Sequence, residues 1–211
     1  MKAKLLLLLL LANFSIYAQQ NTAIPDIKFK KKLITLGYDT APEDGQVLTA
    51  NIASLTSLDV SKSAISDLTG IQDFTSLTQL SVSENLLTNL DLSTNINLQH
   101  LSASKNQLTD LNVSKNTALT DLSCYANKLT ALNISALTSL TNLTCSSNIL
   151  TSLDVDNNQS LNYLNCGNNQ LTAINVSKNT ALITFYCHTN KITSLDVSNN
   201  ILLEYSMCHD N

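Results

Sequence analysis

Apolar residues return in a fixed order along most of the chain. Leucines open successive units at Leu77, Leu98, Leu119, Leu140, Leu161 and Leu182, a constant 21-residue period. Within a unit the pattern is L-x-x-L-x-[VAC]-x-x-N-x-L-T-x-L-[DN]-V-S-x-N-x-x. In one example Leu161, Leu164 and Cys166 are echoed by Leu171, Ile174 and Val176. Alternation over so few positions predicts strand, and so short a unit leaves no room for an α-helix between two such stretches. The expected fold is mainly β, a right-handed solenoid with a parallel β-sheet on one face and a strand-like or irregular face opposite.

The first half of each unit matches the leucine-rich repeat signature six times in succession. Polar positions repeat as strictly. Asparagine recurs at Asn85, Asn106, Asn127, Asn148, Asn169, Asn190 and Asn211, and a second column runs through Asn95, Asn116, Asn158, Asn179 and Asn200, with Leu137 as the exception. Because the chain has only 4 glycines, the corners fall to asparagine. It tolerates left-handed backbone and is expected to form amide ladders between stacked coils. Pro25 and Pro42 both precede the repeats, as an unbroken hydrogen-bonded ladder requires.

The two ends depart from the pattern. Leu55 to Ser76 is a 22-residue unit. Ahead of it, Asp26 to Leu36 predicts a short helix, with Asp26 as N-cap, Phe29 and Leu33 on one face and Gly37 as the stop. Such a helix would cover the first coil, giving an N-terminal cap over residues 19–54 and repeats over 55–211. Residues 1–18 read as a signal peptide: a basic start, the run Leu5 to Leu11, and Ile16-Tyr17-Ala18 before cleavage. That run is too short to span a bilayer, so an exported chain with no membrane span is expected. Leu203 to Asn211 opens a further coil. Either the chain is part of a longer protein or this edge pairs, giving edge-to-edge self-association.

From about residue 22 to 211 the chain resembles the secreted bacterial leucine-rich repeat proteins. The resemblance rests on Ile24-Pro25-Asp26, on Gly45-Gln46-Val47-Leu48-Thr49, on Leu55-Thr-Ser-Leu58-Asp59-Val60-Ser61, and on the repeated Leu-Thr-x-Leu-Asp-Val-Ser-x-Asn blocks. The 22-residue unit is similar to the repeats of internalin-type proteins. The resemblance implies a secreted or cell-surface scaffold for protein–protein or surface recognition and names no ligand.

Charge and chemistry narrow the function further. Charged residues make up 13% of the chain and the net charge is −4, so there is no basic footprint for nucleic acid. Five cysteines, Cys124, Cys145, Cys166, Cys187 and Cys208, recur once per unit in the slot of Val82 and Ala103. They are expected as an inward column of reduced thiols, because in-register strands sit too far apart for easy disulfides. A zinc site is rejected, since the partners there are leucines. His188 and His209 share a column with Asp210 beside the second, and His100 stands alone. Asp39 to Gly45 faintly resembles a calcium loop, but Ala41 takes a ligand position, so a plain cap loop is expected. No cofactor and no nucleophile–base–orienter set are evident, and no enzyme is predicted.

What breaks the repeat is more informative. Early coils place Gln79, Ser81, Ser83, His100, Ser102 and Ser104 on the outward face of the first strand, whereas later coils place Tyr125, Tyr163, Tyr186, Tyr205 and His188 there. Tyrosine is a preferred interface anchor, so these five residues are the candidate ligand-binding set. The regular column Asp91, Asn112, Asn133, Asp154, Asn175 and Asp196 reads as scaffold. The expected partner is a protein or cell-surface ligand, and a glycan-binding adhesin is the alternative.

Overall fold

The 21-residue period sets the register of one parallel sheet. A computed structural model describes residues 20–40 and 42–211; the signal-peptide reading and the Ala41 position lie outside them. The cap comprises β1 (Asn21–Ala23), α1 (Ile27–Thr35), β2 (Gln46–Leu48) and α2 (Thr49–Ile52). The repeats give β3 (Ser57–Asp59), β4 (Gln79–Ser81), β5 (His100–Ser102), β6 (Asp121–Ser123), β7 (Asn142–Thr144), β8 (Tyr163–Asn165), β9 (Thr184–Tyr186) and β10 (Tyr205–Met207). These eight strands pair in parallel and in chain order. Ser57 faces Gln79 across the 22-residue unit, and Gln79 faces His100 across the first 21-residue one. The opposite face is irregular, formed of turns.

Six apolar side chains per coil point inward, as Leu77, Leu80, Val82, Leu87, Leu90 and Leu92 do, and they form one continuous core. Cys124, Cys145, Cys166 and Cys187 fill the Val82 slot, buried and unpaired by disulfides. Burial pushes the Cys124 thiol up to about 12, so these groups stay protonated and behave as small apolar fillers.

The asparagines work differently from the ladder expected. The left-handed corner residue is the one before each asparagine: Glu84, Lys105, Ala126, Ser147, Asn168, Thr189 and Asp210 all have φ between 53° and 57°. A left-handed L-residue costs about 1–2 kcal/mol, and the next side chain secures that corner. Asn148, for instance, donates to the carbonyls of Cys145 and Ser146, the two residues that lead into the bend. It also reaches the preceding coil, donating to the Cys124 carbonyl and accepting from the Leu129 N–H. Amide therefore meets backbone, not neighbouring amide. The second column does the same on the far side, where Asn116 donates to the carbonyls of Leu92 and Asn95. The Asp91 column is also structural: its side chains accept backbone N–H groups two residues on, at Ser93, Ser114, Ser135, Asp156, Ser177 and Ser198.

The cap is stitched to the first coil by Asp26. One carboxylate oxygen caps α1 through the N–H groups of Lys28 and Phe29, and the other accepts from Ser66 and Asp67. Burial opposes its ionisation, but the donors at Ser66, Phe29 and Asp67 outweigh that and hold the carboxyl below its usual range. Phe29 stacks on Phe74 at 6.1 Å. Gly70, with φ of +102°, lets β1 cross the 22-residue unit, since a Cβ there would lie 2.5 Å from the Ala23 carbonyl oxygen.

Lys30 is buried, which its place in a lysine-rich helix did not suggest. Its ammonium donates to Asp39 and the Gln46 carbonyl and lies 3.0 Å from Asp44. The acidic loop thus turns its carboxylates onto a lysine of the same cap.

Candidate recognition face

Each coil presents three outward positions on the sheet face: the first and third residues of its strand, and the second residue after the strand. The first position runs Gln79, His100, Asp121, Asn142, Tyr163, Thr184 and Tyr205 in register. The second runs through Ser81, Ser102, Ser123, Thr144, Asn165 and Tyr186. The third holds Ser104, Tyr125, Ser146, Gly167, His188 and His209.

The five candidate residues share this face but form no single cluster. Tyr163 on β8 and Tyr186 on β9 meet edge to face, with ring centroids 6.0 Å apart and planes at 85°. Tyr205 lies on β10 at 60% exposure. His188 belongs to a neighbouring pair, stacked on His209 at 5.5 Å. Its ring leans over Gly167, where a Cβ would fall 2.5 Å from Cε1, and Asn168 holds its Nε2 at 3.1 Å. Gly167 is therefore the seat of His188, in a column that otherwise carries larger side chains. Tyr125 stands apart, two coils earlier in the third position. Beside it is Lys105, whose ammonium is favoured first by Glu84 at 3.3 Å and then by Tyr125.

Towards the cap the same face holds a groove of about 500 Å³ over β3 to β7. Here His100 is not alone. Its Nδ1 lies 2.9 Å from Oδ2 of Asp121, its register partner on the next strand. Oδ1 of that carboxylate accepts from the Asn142 amide at 2.6 Å, and Oδ2 also accepts from the Thr120 hydroxyl at 2.8 Å. The signal for this row was present as one column at the repeat period, spread over residues of four different types. Serines cross-link the floor: Ser83 meets Ser102 at 2.7 Å and Ser104 meets Ser123 at 2.8 Å. That arrangement buries Ser104 and withdraws it from the outward set. At the cap end, the hydroxyl and N–H of Ser61 hold Asp59 below the usual carboxylate range.

Known proteins share this architecture. Over 75 residues the chain is 41% identical to internalin J of Listeria monocytogenes serotype 4b (strain F2365), a stretch covering 36% of this chain and 8% of that protein. The functional domain of Listeria monocytogenes internalin J matches 90% of this chain at 30% identity, with a TM-score of 0.50. This is an internalin-like leucine-rich repeat protein. Listeria monocytogenes internalin F has the same fold over 92% of this internalin-like chain, at 23% identity and a TM-score of 0.82. The chain spans 57% and 60% of those two structures, and no family model matches it. The internalin J domain includes a cysteine ladder; the in-register row from Cys124 to Cys208 is this chain's own run of stacked cysteines.

Proposed function

We propose that this internalin-like chain is an exported, non-enzymatic recognition scaffold whose sheet face holds a protein or cell-surface partner. The observation that carries the reading is the Tyr163–Tyr186 pair. Positions that every coil repeats serve the coil, as the asparagine columns do. These two break the repeat with large, amphipathic rings on a rigid sheet, the residue type enriched at interface hot spots. Its internalin relatives and the candidate signal peptide support display outside the cytoplasm. The His100–Asp121 pair does not assemble a nucleophile, because the nearby serines bond to one another or to Asp59 rather than to His100.

The test is binding of the purified chain to a panel of immobilised cell-surface glycoproteins. The double variant Tyr163→Ala, Tyr186→Ala is expected to weaken the strongest interaction by at least about 30-fold, the effect of losing one hot spot of ~2 kcal/mol. Its melting temperature should stay unchanged. Thr151→Ala, on the opposite face, should bind as the parent does. Undiminished binding by the tyrosine variant would remove this assignment.

A further inference from the structure

We propose that the groove over β4 to β7 is a binding site for a neutral oligosaccharide, held by Gln79, His100, Asp121 and Asn142. It lies on the same face as the tyrosine pair but is built from other residues, and it stands whether or not that pair binds a protein.

The row changes residue at every coil. The second position beside it runs Ser81, Ser102, Ser123 and Thr144, short hydroxyl side chains that leave the groove its volume. The first position carries a carboxamide, an imidazole, a carboxylate and a second carboxamide, on strands spaced ~4.8 Å apart. These are planar groups, the carboxamides and the imidazole offering donors beside acceptors and the carboxylate acceptors alone, a row suited to the adjacent hydroxyls of a sugar ring. Asp121 fixes the row in advance: His100, Asn142 and Thr120 all bond to its carboxylate. Side chains ordered before binding lose less entropy when the ligand arrives.

Charge selects the kind of sugar. The groove is lined by Asp59 and Asp121 and by no lysine or arginine. Sialylated or sulfated glycans would meet repulsion there. A cationic peptide would find Asp121 already shared among His100, Asn142 and Thr120 and Asp59 held by Ser61, both weak centres for an ion pair. Oδ1 of Asp121, which accepts only the Asn142 bond, keeps a lone pair for a hydroxyl. A hydroxyl-rich neutral ligand instead uses the lone pairs and amide groups that remain. The volume of about 500 Å³ falls within the range of small-ligand sites.

The experiment presents the protein to an array of neutral, sialylated and sulfated oligosaccharides, with oligolysine as a cationic probe, at low and high salt. Retention of a neutral oligosaccharide is expected, little changed by salt because no net charge is paired. Asp121→Ala and Asn142→Ala should each weaken it by at least about 10-fold, the loss of one charge-assisted or bidentate contact. Asp121→Asn, which keeps the shape, should also weaken it, and circular dichroism should show all three variants folded. Tyr186→Ala should leave the affinity intact, which separates this site from the tyrosine anchor. Binding of acidic glycans or oligolysine alone, binding of no neutral sugar, or affinity indifferent to Asp121 and Asn142 would each overturn the proposal.

Discussion

Replacing Asn148 by alanine is expected to lower the melting temperature by roughly 10 °C, from a loss of about 3–4 kcal/mol. Asn148 is 7% exposed, and its side chain serves two coils at once. Removing it orphans the Leu129 N–H, which costs about 1–3 kcal/mol when buried, and takes donors from three carbonyls, at Cys124, Cys145 and Ser146. It also frees the left-handed residue Ser147 to relax. Stacked repeats are stabilised through their neighbours, so the damage should spread to adjoining coils. Asn175→Ala is the internal control. That side chain is exposed and accepts the Ser177 N–H at 3.1 Å, so its loss should cost under about 1 kcal/mol. Thermal melts of the two variants side by side check the claim; a shift for Asn148→Ala no larger than that for Asn175→Ala would mean that its bonds to two coils contribute no more than those of an exposed asparagine.

Lys30→Met should be comparably severe, at about 3 kcal/mol, because it strands the largely but not fully buried Asp39 carboxylate without its counter-charge. The side chains of Lys30 and Asp39 are 2% and 12% exposed. Methionine fills the volume but leaves Asp39 unpaired, so Lys30→Met, Asp39→Leu should recover much of the loss. The pair also fixes the direction of pH dependence. Burial opposes the Lys30 charge, but Asp39 and Asp44 outweigh it and raise its pKa above 10.5, so the lysine's own titration removes its contribution as pH rises through that raised value. Asp44 is held below 3.8, chiefly by the Lys30 hydrogen bond, so its contribution is present above 3.8 and fades as pH falls through the lowered value. Acid melts of parent and Lys30→Met should converge below that range. A difference that persisted in strong acid would place the lysine's role elsewhere.

The period and its apolar slots were legible in the sequence because solenoid geometry is nearly one-dimensional. A leucine column at 21-residue spacing specifies strand, register and core together. The cap helix was legible too, since Asp26, Phe29, Leu33 and Gly37 carry local signals that need no tertiary partner. What escaped depended on contacts distant in the chain. Lys30 is one lysine among several in α1, and only the return of Asp39 and Asp44 distinguishes it. The antiparallel pairing of β1 with β2 joins three-residue strands, too short for alternation to show. His100 looked isolated because its partner Asp121 is a whole coil away and chemically unlike it. Asparagine's place beside the corner rather than in it is invisible to composition, since residues as different as Glu84, Lys105 and Ala126 take the left-handed turn. The five candidate residues shared a face as expected, but sequence spacing could not show that Tyr163 and Tyr186 would touch while Tyr125 would not.

We propose that a partner docks on the sheet face at its tyrosine pair. Hydroxyl-radical footprinting of the chain with and without its strongest-binding glycoprotein tests this most directly, because tyrosine rings report their own exposure. Protection of Tyr163 and Tyr186 on binding is expected, with Tyr38 in the cap oxidised as before. Protection of Tyr38 with Tyr163 and Tyr186 unchanged would place the partner elsewhere and contradict it.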